Sequence, residues 1–149
     1  IWQDIDILLI DMPPGTGDVS ISLSQFLPIS ETLIITTPQK TSSDVAQRAG
    51  IMANKVKSDV LGVVENMSFI QSGQEKLLPF GEGGGEALAS NLETNFFGSI
   101  PLDPELGKLA DSGKLISSKE SEVYKIFTEI GKKITDTKPK KIPLNISIN

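Results

Sequence analysis

The sequence predicts a three-layer α/β sandwich in which helices cover both faces of a mostly parallel sheet. Apolar runs with little alternation recur along the chain, as is typical of strands that are buried on both faces. Segments with helical spacing lie between these runs, and strands that alternate with helices usually form a parallel sheet. The chain has 149 residues, of which 38% are hydrophobic. This length suffices for one domain with a substantial core.

Four apolar runs are predicted to be strands. The run IDILLID occupies residues 5–11, ETLIITT occupies residues 31–37, and DVLGVVENM occupies residues 59–67. The fourth run, NFFGSI at residues 95–100, is shorter. Because these runs are continuous rather than alternating, each strand is expected to be covered on both sides.

Helical patterns fill the segments between the strands. Asp18 is expected to cap a helix over residues 19–27, and further helices are predicted over residues 43–56 and 85–92. The last helix is predicted over residues 121–134. Its spacing places five apolar side chains on one face: Val123, Ile126, Phe127, Ile130 and Ile134. LADSGK, near residue 110, is typical of the C-terminal end of a helix.

Composition and charge exclude several classes of function. The net charge is −5, and the basic cluster at residues 138–141 is too small to predict nucleic-acid binding. No apolar run approaches the ~20 residues needed to span a bilayer, and the opening residues do not resemble a signal peptide. A cytoplasmic protein without a membrane role is therefore expected.

The absence of two residue types restricts the chemistry further. The sequence contains no cysteine and no histidine. These absences exclude a disulfide framework, a thiol nucleophile, a serine–histidine triad and the usual zinc sites within this sequence. A metal ion bound here is expected to be a hard cation on oxygen ligands.

The stretch DILLIDMPPGTGD carries the strongest chemical signal. Asp11 ends the first predicted strand, and ligands of open α/β sheets gather at the carboxyl ends of strands. An aspartate placed in this way can hold Mg²⁺, usually through a bound water. Pro13 and Pro14 restrict the loop, while Gly15 and Gly17 let its amides approach a terminal phosphate. The alternative is a tight turn whose amides Asp11 caps.

Five strings, taken in order, resemble the Mrp/NBP35 family, which is also called ApbC. They are DILLIDMPPGTGD, TTPQ at residues 36–39, GVVENMS at 62–68, FGEGGGEALA at 80–89, and IPLDPELGKLADSGK at 100–114. Members of this family are P-loop NTPases of the MinD-like group and are implicated in carrying iron–sulfur clusters. The resemblance covers about residues 4–116 and implies an ATP-binding, Mg-dependent ATPase of that fold.

The resemblance implies roles for the first of these strings. Asp11 matches the Walker B aspartate, which would hold Mg²⁺ and contribute to catalysis. Pro13, Pro14 and Gly15 match the switch that senses the γ-phosphate, and the Gly15 amide would act with Asp11 in catalysis.

The resemblance also implies a site for the adenine base. Asn66 matches an asparagine that contacts the base, and Pro101 and Asp103 match the loop that closes over it. A side-chain amide offers one acceptor and two donors, which suits a purine edge. The residue pattern at Asn66 also allows an asparagine that only caps a turn.

The chain departs from the family pattern in its phosphate-binding loop. No glycine-rich segment ends in Gly-Lys-Ser or Gly-Lys-Thr, so the sequence contains no Walker A loop. GEGGGEALA lacks that ending and is predicted to be a flexible entry to a helix. We therefore expect residues 1–135 to be the C-terminal part of a single P-loop ATPase domain, with residues 136–149 as a tail. A sheet that is incomplete at its N-terminal side would leave an open edge and an uncovered apolar face.

A second departure concerns the iron–sulfur cluster. Many members carry a Cys-x-x-Cys pair shortly after NMS, through which paired subunits bind a bridging cluster. The segment here is FIQSGQEKLLPF at residues 69–80, and it has no cysteine. Oxygen and nitrogen side chains are poor substitutes for thiolates. The resemblance keeps a cluster possible, but binding by the usual route is not expected.

Three functions are compatible with these observations. The leading hypothesis is a homodimeric ATPase of the Mrp/NBP35 type that acts in iron–sulfur cluster assembly or delivery, with client or scaffold proteins as partners. The first alternative is a ParA/MinD-like ATPase that positions cellular cargo. The second alternative is a non-catalytic interaction module that keeps the fold without the phosphate loop.

Overall fold

The structure of the chain is a computed structural model that describes residues 5–13, 18–114, 119 and 121–137. The predicted tail at residues 136–149 lies outside the described residues from position 138 onward. The helices and strands follow in chain order: α1 Asp18–Phe26, β1 Thr32–Thr36, α2 Lys40–Lys55, β2 Val60–Glu65, β3 Ile70–Ser72, β4 Glu75–Leu77, α3 Gly84–Asn91, β5 Asn95–Ser99, α4 Pro104–Asp111 and α5 Glu122–Asp136.

Three parallel strands form the central sheet in the order β1-β2-β5. Helix α2 connects β1 to β2, and α3 lies between β2 and β5. Thr36 pairs with Glu65, and Glu65 pairs with Ser99, so the three strands end side by side. The structure thus confirms the predicted strands at β1, β2 and β5, with ends that differ by one or two residues.

Helices pack on both faces of this sheet, because side chains alternate along each strand. On one face, Ile34 and Val63 pack with residues of α2 and α3, including the fully buried Leu88. On the other face, Val64 and Phe97 pack against α5 through Ile130. Two core clusters separated by a sheet make a three-layer arrangement, and the predicted fold class is confirmed.

The last helix, α5, buries most of its predicted apolar face. Val123 and Ile130 are buried, and Ile126 and Ile134 pack against the second core cluster. Phe127 is 41% exposed, so the buried stripe is narrower than the spacing predicts. No helix among the described residues combines the length and apolar character needed to cross a membrane.

The prediction of a strand over residues 5–11 is wrong. The structure assigns no strand to residues 5–11, and the side chains of its apolar residues are 43–77% exposed. A strand requires a neighbour to bond its backbone groups, and an apolar run needs a second layer to cover it. Among the described residues, β1 pairs only with β2, and no strand forms a backbone hydrogen-bond ladder with residues 5–11.

Large apolar side chains are also exposed elsewhere in the described part of the chain. Phe26 is 82% exposed and Ile35 on β1 is 54% exposed, while Val19 and Ile29 are about half exposed. Large apolar side chains left exposed are groups on which further polypeptide can pack. These exposures agree with the open edge and uncovered apolar face expected from the sequence.

Two elements were not predicted. An antiparallel hairpin of β3 and β4 turns at Gly73, whose positive φ of 62° favours glycine. Helix α4 was predicted only at its end, which the structure confirms: Gly113 N–H donates to Ala110 O and Lys114 N–H donates to Leu109 O. This pair of hydrogen bonds, with Gly113 in the left-handed region, is a Schellman motif.

Leu88→Ala should destabilise the fold by about 2–5 kcal/mol, because it empties a fully buried site between α3 and the sheet. Chemical denaturation measures the change in the free energy of unfolding. Leu77→Ala, at a leucine that is 50% exposed on β4, is the matched control and should cost about 1 kcal/mol or less. Equal losses in the two variants would contradict the packing described for α3.

Candidate functional site

The carboxyl ends of β1, β2 and β5 form one edge of the sheet, which we call the carboxyl edge. It consists of residues 36–39 after β1, residues 65–69 after β2 and residues 99–103 after β5, together with the first turn of α3. Four of the five strings identified in the sequence therefore meet here. In open α/β sheets this edge is where ligands bind.

Backbone hydrogen bonds continue past the ends of the strands and join these segments. Asn66 N–H donates to Thr36 O over 2.7 Å. Ser68 N–H donates to Ile100 O over 3.0 Å, and Leu102 N–H donates to Phe69 O over 2.7 Å. The turn that carries Asn66 is thereby held beside the loop that carries Pro101 and Asp103, so the structure brings the three predicted base-contacting residues to one edge.

The Asn66 side chain caps its own turn. Its Oδ1 accepts a hydrogen bond from Met67 N–H over 2.9 Å, and Met67 has a positive φ of 55°. This is the capping arrangement that the sequence left open as an alternative. No described residue accepts a hydrogen bond from Asn66 Nδ2. The two donors of that amide remain available, so capping and ligand binding are compatible at this residue.

Pro101 and Asp103 shape the start of α4. Pro101 is buried, and Asp103 Oδ1 accepts a hydrogen bond from Glu105 N–H over 2.8 Å as the N-cap of the helix. Pro104 occupies the first turn of α4, where its missing N–H costs nothing. The loop predicted to close over a base is thus held by a helix cap at its far end.

A buried carboxylate ties the end of β2 to α3. Glu65 is 4% exposed, and its Oε2 accepts a hydrogen bond from Gly85 N–H over 2.6 Å. Sequence reasoning missed this residue, because a glutamate at a strand end is usually solvated. A glutamate that ends an otherwise apolar strand, followed by a glycine run before a helix, is the signal that could have found it.

Gly84 and Gly85, the first two residues of α3, are tightly packed, whereas a Cβ on Gly81 or Gly83 would meet nothing within 4 Å. The prediction of a flexible entry is therefore wrong only for Gly84 and Gly85. A Cβ on Gly85 would lie 2.7 Å from Glu65 Cβ and 2.9 Å from Phe96 Cε2. A Cβ on Gly84 would collide with the carbonyl of Pro38. Glycine is needed at both positions because two backbone segments approach each other closely.

Thr37 adds a second polar group to the carboxyl edge. Its Oγ1 is buried and has no hydrogen-bond partner among the described residues. Leaving such a group unpaired costs about 1–3 kcal/mol, so a partner is expected from a ligand or from polypeptide beyond the described ranges. The Thr37 hydroxyl and the Asn66 amide thus both offer hydrogen-bonding groups at the carboxyl edge that no described residue uses fully.

Among the described residues, no hydrogen bond joins the first predicted motif to the carboxyl edge. Asp11 and Pro13 are exposed, and no hydrogen bond or ion pair joins the Asp11 carboxylate to the described residues. Pro14 and Gly15 lie outside the described residues. The described part of the chain contains no group of three or more carboxylate, histidine or cysteine side chains that could hold a metal ion. Asp11 therefore fits Mg²⁺ only as one of several oxygen ligands.

An acidic cleft of about 430 Å³ lies beside the carboxyl edge, between α3 and the segment that follows β4. Phe69 and Phe96 contribute apolar walls, and Glu65, Glu82 and Glu86 contribute carboxylates. Three carboxylates repel a polyphosphate. The phosphates of a nucleotide are therefore expected to lie outside this cleft.

Comparisons with known proteins agree on one family. The model of the ParA family described as NUBPL iron-transfer P-loop NTPase matches residues 1–135. An iron-sulfur cluster carrier protein from Mycobacterium leprae is 44% identical over 119 residues, which are 75% of this chain and 31% of the relative. One from Escherichia coli is 37% identical over 139 residues, which are 90% of this chain and 37% of the relative. The chain thus spans about a third of the length of these relatives.

Two solved structures are similar in fold. A nucleotide-binding protein from Archaeoglobus fulgidus in complex with ADP is 36% identical, with a TM-score of 0.68 over 83% of this chain and 51% of that one. The cell division ATPase MinD of Pyrococcus furiosus is 24% identical, with a TM-score of 0.54 over 71% of this chain and 42% of that one. The MinD likeness supports the fold, which is that of MinD-like P-loop NTPases.

Gly85→Ala should destabilise the protein by about 1–3 kcal/mol, because the new methyl group would press on Glu65 and Phe96. Thermal and chemical unfolding measure the loss. The matched control is Gly107→Ala in α4, where a Cβ meets nothing within 4 Å, and this change should stabilise by about 0.4–1 kcal/mol. A Gly85→Ala variant as stable as the Gly107→Ala variant would contradict the close approach of α3 to β2.

Proposed function

Because this chain belongs to the ParA family of NUBPL iron-transfer P-loop NTPases, we propose that the natural protein binds and hydrolyses ATP and acts in iron–sulfur cluster assembly or delivery. The observation that carries this proposal is the meeting of Asn66 with Pro101 and Asp103 at the carboxyl edge. The iron-sulfur cluster carrier proteins among the relatives, and the ADP complex of the Archaeoglobus fulgidus protein, support it.

The adenine base is proposed to bind at the carboxyl edge. Asn66 Nδ2 would donate to a ring nitrogen of the base, while its Oδ1 keeps the hydrogen bond from Met67 N–H. Pro101 would supply an apolar contact, and Asp103 would keep the loop in place through its cap on α4. The phosphates would extend away from the acidic cleft.

Mg²⁺ and the γ-phosphate are proposed to lie near the first motif. Asp11 would hold the metal ion through a water molecule, and Pro13, Pro14 and Gly15 would sense the terminal phosphate, with the Gly15 amide and Asp11 contributing to catalysis. The metal ion would neutralise phosphate charge. We propose that residues 1–135 form the C-terminal part of one P-loop ATPase domain, with residues 136–149 as a tail, and that other polypeptide supplies the phosphate-binding loop.

The cluster is the proposed cargo. This sequence has no cysteine, so it offers no thiolate to an iron–sulfur cluster. The ligands would come from other polypeptide, such as a partner subunit or a scaffold or client protein. We propose a homodimer, because the chain resembles a family whose members bind a cluster between paired subunits. We also propose a cytoplasmic location.

Asp11→Asn in the full-length natural protein should lower the rate of Mg-dependent ATP hydrolysis about 10–100-fold, because the amide cannot hold the metal-bound water as a carboxylate does. Steady-state phosphate release at saturating ATP measures the change. Asp44→Asn, which removes an exposed carboxylate that pairs with Lys40, is the control and should hydrolyse ATP at the wild-type rate. Undiminished hydrolysis by the Asp11 variant would overturn the assigned role.

Asn66→Asp should weaken ATP binding about tenfold while leaving the fold intact. The new carboxylate still accepts a hydrogen bond from Met67 N–H, but both amide donors are lost. Isothermal titration with ATP measures the affinity. Asn95→Asp, at an exposed position of β5, adds the same charge away from the carboxyl edge and should bind ATP normally. Equal affinities of the two variants would argue against base contact by Asn66.

A further inference from the structure

We propose that Glu65 is a positioning residue for base recognition, because its buried carboxylate holds the turn that carries Asn66 against the first turn of α3. This inference rests on the proposed function, since it concerns how the nucleotide base is selected. It adds to that function a residue that does not itself contact the base.

The carboxylate is buried in a place that suits a negative charge. Gly85 N–H belongs to the first turn of α3, where backbone N–H groups lack partners within the helix and the helix dipole is positive. Its 2.6 Å hydrogen bond to Glu65 Oε2 is therefore charge-assisted. A carboxylate on a residue that is only 4% exposed needs such a partner, and losing the bond would strand a donor and move the strand end.

The main chain of Glu65 is tied to both base-contacting segments. Its carbonyl accepts hydrogen bonds from Ile100 N–H over 2.7 Å and from Ser68 Oγ over 3.0 Å. The next N–H along the chain, that of Asn66, donates to Thr36 O. A shift of Glu65 would therefore disturb the hydrogen bonds that set the distance between the Asn66 turn and the loop at Pro101. A bound base would have to fit that distance.

The first turn of α3 is itself fixed. Gly84 lies against the carbonyl of Pro38, in the segment that follows β1. The Glu65 side chain therefore reaches an element that is already packed against another part of the carboxyl edge. The hydrogen bond between Glu65 and Gly85 thus connects two parts of the carboxyl edge and fixes their relative position. A hydrogen bond with a structural role only would change stability without changing which base is bound.

Base selectivity separates positioning from stability. The experiment measures the dissociation constants of ATP and GTP for the full-length natural protein and for Glu65→Ala, Glu65→Gln and Ser58→Ala. Glu65→Gln is the conservative replacement, since the amide oxygen of the new side chain can still accept from Gly85 N–H. Ser58 is 7% exposed and bonds to Thr32 and to Ser30 O at the opposite end of the sheet, so its variant matches the loss of a buried hydrogen bond.

Glu65→Ala should reduce the preference for ATP over GTP about tenfold, which corresponds to one hydrogen bond at the base. Glu65→Gln and Ser58→Ala should keep the wild-type preference, even where Ser58→Ala lowers stability. If Glu65→Ala does not fold, Glu65→Asp makes the same test, because it withdraws the carboxylate by one methylene while keeping its charge. The Asp variant should then show a reduced preference.

Three results would overturn the inference alone: a wild-type protein that binds ATP and GTP equally, a Glu65→Ala preference equal to that of Ser58→Ala, or a Glu65→Gln variant as impaired as Glu65→Ala. If Glu65→Asp replaces Glu65→Ala, an unchanged preference has the same meaning. A wild-type protein that binds no adenine nucleotide would overturn the proposed function as well. The two failures are therefore distinguishable in one set of titrations.

Discussion

The hydrogen bond from Gly85 N–H to the buried Glu65 carboxylate is the constraint on which the carboxyl edge depends. It joins the end of the central strand to the start of the helix that covers it. The backbone bonds of the same strand end reach β1 on one side and the loop after β5 on the other. Segments that are distant in sequence are therefore held in one arrangement by a single strand end, and the position of Asn66 follows from it.

Much of the fold could be predicted from the sequence, because strands buried on both faces leave a compositional trace. The runs at β1, β2 and β5 are largely apolar on both faces, and two helical layers cover most of these side chains, Ile35 on β1 being an exception. The run at residues 5–11 has the same composition but no strand beside it among the described residues. The apolar composition of a segment shows how much free energy its burial would contribute. It does not show whether an adjacent strand is present to accept and donate its backbone hydrogen bonds. The short β3–β4 hairpin was missed for the opposite reason, since its exposed, largely polar residues carry no burial signal.

The candidate site was predictable only in part. Asn66, Pro101 and Asp103 were reached through resemblance, and their neighbourhood follows from parallel strands that end together. Glu65 was not reached, because its partner is the backbone N–H of a glycine 20 residues away. A residue type does not show which backbone group it will meet. Gly84 and Gly85, the packed glycines at the start of α3, were misread for the same reason, since tight approach and flexibility both favour glycine.

The hydrogen bond from Gly85 N–H to the Glu65 carboxylate also closes a loop in the chain. Everything between these residues, including the exposed β3–β4 hairpin, leaves and returns at two points that are hydrogen-bonded to each other. Changes in loop length between fixed ends cost little free energy. The β3–β4 hairpin, residues 70–77, can therefore change in sequence or length at little cost to residues 65–69 and to the start of α3. The architecture lets the exposed hairpin vary while the carboxyl edge, where the base is proposed to bind, stays constant.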